Sequence, residues 1–80
     1  MSLLSSTPEE IEAAQDVLTI RAMRLQRLMG CDATFACVKC LCQGKFAEAA
    51  DHARAAAEVD LAYSHLAIKL AEDMQKLVTA

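Results

Sequence analysis

Eighty residues carrying a net charge of −3 suffice for one small domain and exclude a second; at this size a single core leaves little stability in reserve. The composition is 55% hydrophobic but only 4% aromatic, with two glycines and one proline, which favours helix throughout. Charged residues break every apolar stretch short of the roughly 18 residues a membrane span needs, and the scattered acidic residues favour neither nucleic acid nor an anionic membrane as partner.

Residues 1–6 have no basic start and no apolar run of secretory length, so they read as a disordered lead-in to one all-helical domain over 7–80. Thr7 is placed to cap a helix, with Pro8 at its first position and Glu9, Glu10 and Glu12 near the positive end of the helix dipole. Thr7 and Glu10 also have the spacing of a capping box. Ile11, Ala14, Leu18, Ala22, Leu25 and Met29 follow at three- and four-residue steps, widened by Val17, Ile20 and Leu28. Arg21, Arg24 and Arg27 approach the negative end and Gly30 supplies a C-terminal cap, so the first helix covers about residues 8 to 29.

Asp32 is placed to cap a second, short helix reaching about Cys42, with Phe35, Val38 and Leu41 as its bulky apolar groups and Gln43-Gly44 as its stop. A third helix from about Phe46 buries Ala49, Ala50, Ala53, Ala56 and Ala57 and turns Glu48, Asp51, Arg54 and Glu58 outward. So little side-chain volume lets a neighbouring backbone come close. A fourth, from about Asp60, repeats Tyr63, Leu66, Ala67, Leu70, Met74 and Leu77 on one face. The expected fold is all-α, a small antiparallel four-helix array.

Cys31, Cys37, Cys40 and Cys42 crowd into one short stretch without a secretory context, which implies free thiols, a reducing compartment and a soluble cytoplasmic chain. Clustered thiols also suggest metal ligation or redox sensing. At about 100° per helical residue, however, Cys40 and Cys42 face nearly opposite sides, so four thiols cannot converge on one ion. A partial site of Cys31, Cys37 and Cys40 is the alternative to small hydrophobic core residues. No cofactor is expected. His52 and His65 lack a nucleophile or carboxylate at a telling spacing, and the expectation is that the chain is not an enzyme. The three arginines, spaced by three, rotate around the helix and are followed by no polar reading helix, so they are a solvated face that complements the dipole.

The stretch from Gln43 to Asp60 reads as a tight turn followed by a small-residue packing helix: Gly44, Phe46, Glu48-Ala49, Ala56 and Asp60. These residues and their offsets resemble the second half of a tetratricopeptide repeat. Ala33 and Ala36, Cys40, Ala53 and Leu61 depart from the family pattern, where larger residues and a closing proline are usual. The resemblance implies a helical hairpin flanked by capping helices, with a peptide groove on the first helix of the hairpin at Thr34, Val38, Leu41 and Cys42. It implies an interaction module, an adaptor or dedicated chaperone, whose protein partner offers an amphipathic helix or peptide. The surplus apolar residues Val17, Ile20, Leu28, Leu61 and Ile68 further suggest a partner or a homo-oligomer.

Overall fold

A computed structural model describes residues 7–78, most of them in four helices: α1 (Pro8–Met29), α2 (Asp32–Cys42), α3 (Phe46–Val59) and α4 (Ser64–Val78). The fold is all-α, with no strand among the described residues. The lead-in expected at 1–6 lies outside them. No described helix is long and apolar enough to cross a membrane.

Local chemistry sets most of the boundaries. Thr7 has extended backbone, and its hydroxyl oxygen accepts the Glu10 N–H at 3.2 Å, satisfying one of the amides left open at a helix start. The hydroxyl also lies 3.3 Å from the Glu10 carboxylate. At the other end Gly30 turns left-handed at φ 61° and donates its N–H to the Gln26 carbonyl at 2.7 Å. The stop after α2 is a Schellman turn: with Gly44 at φ 75°, the Gly44 N–H reaches the Leu41 carbonyl and the Lys45 N–H reaches the Cys40 carbonyl. A side chain is strained at such a φ, so glycine suits both positions.

Two helix starts differ from expectation. Asp32 is the first residue of α2 instead of its cap; Cys31 holds the cap position, with no side-chain capping bond. Asp60 ends α3, and its carboxylate accepts the Ala62 N–H at 2.9 Å, closing a local turn. That turn carries the chain through 61–63 and delays α4 to Ser64.

Each helix packs on the next, most heavily α3 on α4, and α1 meets α4 more lightly. The molecule measures 35 × 18 × 17 Å. The interior takes Leu18, Ala22 and Leu25 from α1, the five expected alanines from α3, and Ala67, Leu70, Ala71, Met74 and Leu77 from α4. From α2 come Thr34, Cys37 and Leu41, whereas Phe35 is 62% exposed. The alanine face of α3 explains this choice: helices that close together leave room for small side chains and one leucine, and a phenyl ring does not fit. Thr34 is admitted because its hydroxyl is held by the Gln26 carboxamide and lies 2.9 Å from the Cys31 carbonyl oxygen.

Arg21 departs from the solvated face expected of it. Its Nη1 lies 2.7 Å from Oδ2 of Asp73, clasping α1 to α4, while Lys69 and Lys76 each approach the other carboxylate oxygen at 3.3 Å. Partial burial alone raises the Asp73 pKa, but hydrogen bonds from Arg21, Lys69 and Lys76 outweigh it and hold the carboxyl below its ordinary range.

Candidate interaction surface

The four residues expected to line a peptide groove do not form one. Thr34 and Leu41 are 1% and 0% exposed, and only the half-buried edge of Val38 and the exposed Cys42 reach solvent. The correction follows from the packing: Thr34 and Leu41 are turned into the core, with Gln26 and Gln15 of α1 bonded to the Thr34 hydroxyl and the Leu41 carbonyl, so no peptide can reach them.

The thiols are likewise dispersed. Cys37 is buried, Cys40 and Cys31 are half-buried and Cys42 is exposed. Among the described residues, no three His, Cys, Asp or Glu side chains are gathered to hold a metal ion, and Cys31, Cys37 and Cys40 form no such group. Cys37 is 1% exposed within the core, Cys40 lies 4.0 Å from a Glu48 carboxylate oxygen, and Cys31 lies 3.5 Å from the Thr34 hydroxyl.

Their chemistry separates with their placement. Burial, with a smaller contribution from neighbouring Cys40, pushes the Cys37 thiol up to about 12. Burial also raises Cys31, but the Thr34 hydroxyl and the backbone N–H groups at the start of α2 prevail and bring it below the ordinary thiol value. Iodoacetamide at mildly alkaline pH is therefore expected to modify Cys42 and Cys31 in the folded protein and to reach Cys37 only on unfolding. Peptide mass spectrometry over a time course reads the order. Labelling of Cys37 as fast as Cys42 contradicts its burial.

Surface depressions among the described residues are open to a ligand. One lies between the first half of α1 and the end of α2, about 510 Å³, lined by Pro8, Glu12, Gln15, Asp16, Thr19 and Cys42. Gln15 closes its inner side by donating to the Leu41 carbonyl at 2.5 Å. Its lining is mostly polar and holds no apolar anchor.

Another is a groove of about 270 Å³ between α1 and α4, lined by Arg21, Arg24, Leu25, Leu28, Leu66 and Leu70. Leu25 and Leu70 form a buried floor, while Leu28 and Leu66 are 55% and 52% exposed and stand as walls. Arg21 is engaged by Asp73; Arg24, on the rim, has no ion-pair partner among the described residues. Sequence periodicity had placed Leu66 on the buried face of its helix. Leu28 was already in excess of a single narrow stripe, and that excess was the one signal of a groove here. His52 is half-buried and His65 exposed; neither makes a side-chain hydrogen bond among the described residues. Comparison of the chain with protein-family models, curated proteins and solved structures finds no match in any of the three.

Proposed function

We propose that this chain is a small helical protein–protein interaction module that takes an amphipathic helix of another protein into the groove between α1 and α4, in the manner of an adaptor or a dedicated chaperone. The observation that carries the reading is the groove itself: a leucine floor and two exposed leucine walls beside Arg24, an arginine with no ion pair among the described residues. Apolar side chains spaced at three and four residues on a partner helix fill such a channel, and a carboxylate on its flank meets Arg24. The tetratricopeptide-like hairpin belongs to the same reading. Its support is the Schellman turn at Gly44 and the buried Ala49 and Ala56 on the following helix.

The test uses a designed helical peptide with a leucine ridge flanked by glutamates, and its twin flanked by lysines. Fluorescence anisotropy is expected to show the glutamate peptide binding about tenfold more tightly than the lysine peptide. Leu66→Asp, a change at an exposed position, is expected to abolish that binding while circular dichroism stays unchanged. Equal affinity for the two peptides, or binding that survives Leu66→Asp, overturns the assignment of this groove.

A further inference from the structure

The outward side of α1 carries a second apolar feature, separate from the groove. Asp16, Ile20, Met23 and Arg27 recur at steps of four, three and four, so at about 100° per residue they share one narrow stripe. That stripe lies opposite the buried Leu18, Ala22 and Leu25. All four residues are exposed, Ile20 and Met23 each at 52%, and none lines the groove. Two large apolar side chains thus sit side by side in solvent with a carboxylate before them and a guanidinium after them.

The same polarity runs the length of the helix. Glu9, Glu10, Glu12 and Asp16 occupy its first part, and Arg21, Arg24 and Arg27 its second. Asp16, Arg24 and Arg27 make no ion pair among the described residues. A helix that is acidic first and basic last complements itself when run backwards. Parallel pairing sets acid against acid and base against base, and a partner helix of uniform charge meets repulsion along half its length.

We propose that α1 pairs with α1 of a second copy, antiparallel, about a two-fold axis passing between Ile20 and Met23. In this register Ile20 of each copy packs on Met23 of the other, and Asp16 of each faces Arg27 of the other. Two apolar layers are thereby bounded by two ion-pair layers. The contact is isologous, as closed two-fold symmetry requires. It is also small, so the dimer belongs to the transient class, with a Kd on the order of 10 μM that weakens as salt screens the pairs. Leu28, Leu66 and the groove remain uncovered, and the pairing does not depend on what the groove binds.

Sedimentation equilibrium on the full chain, from low micromolar to millimolar concentration, tests the pairing. The wild type is expected to dimerise reversibly and less well at high salt. Asp16→Arg or Arg27→Asp alone is expected to weaken association about tenfold, because each change places like charges in contact twice; the two together are expected to restore it to within about threefold. Ile20→Glu and the milder Ile20→Ser are expected to weaken it without altering the circular dichroism spectrum. A wild type that stays monomeric throughout the range overturns the proposal, as does a double charge swap that fails to restore association. A monomer that still binds the leucine–glutamate peptide overturns the dimer and leaves the groove reading standing.

Discussion

Leu41→Ala is expected to destabilise the protein by about 2–5 kcal/mol, the range for removing a large buried side chain and leaving a cavity that relaxes only partly. Leu41 is 0% exposed and is one of the largest fully buried side chains in the molecule, which draws much of its remaining interior from alanines. Buried alanines have no rotamer to shift into such a cavity, so a core rich in them refills it poorly. Domains near this size have roughly 4–12 kcal/mol of total stability, so the variant is expected to lose a large fraction of it. Urea denaturation followed by circular dichroism measures the difference. Leu28→Ala, removing the same groups from a position 55% exposed, is the comparison and is expected to change stability by less than about 1 kcal/mol. Equal effects at the two positions contradict the burial of Leu41 in the core.

Ala56→Leu is the converse experiment and is expected to lower stability by about 1–3 kcal/mol through overpacking. Ala49 and Ala56 are both 0% exposed on the helix that packs most heavily against α4. Added methylenes must displace a helix or adopt a poor rotamer. Ala55→Leu, on the exposed side of the same helix, is the control and is expected to lie within about 0.5 kcal/mol of wild type. Neutral results at both Ala49 and Ala56 mean that α3 does not make a close helix contact, and the repeat-like reading of residues 44–60 falls with it.

What was legible in the sequence is what nearby residues decide. Thr7 and Pro8 locate the start of α1, Gly30 and Gly44 locate two stops, and the alanines of α3 locate its buried face, because each depends on hydrogen bonds or spacing within a few residues. The orientation of α2 was not legible. Phe35 is more apolar than Thr34, yet the threonine is inside, because the depth available is set by the facing alanines and Thr34 finds a partner in Gln26 on another helix. The expected groove at Thr34, Val38, Leu41 and Cys42 failed for this reason: it took the helix to be turned the other way. The late start of α4 was hidden too, since the Asp60 carboxylate that commonly caps a following helix instead bonds the Ala62 amide in a turn of its own. The pairing of Arg21 with Asp73 joins residues 52 apart, and no local pattern reports it.

That pairing has a bearing on the order in which the molecule assembles. Most of the interior is made between helices adjacent in the chain, and each hairpin closes only a short loop, so little chain entropy opposes any one step. The clasp of α1 to α4 is different: it forms a ring through the other two helices and becomes available only once their hairpins have brought the last helix back beside the first. The folding route this implies starts from the C-terminal hairpin of α3 and α4, which gathers α2 and then α1, with ring closure at the end. In reverse, α1 is expected to detach first, and native-state hydrogen exchange is expected to show its amides less protected than those of α3.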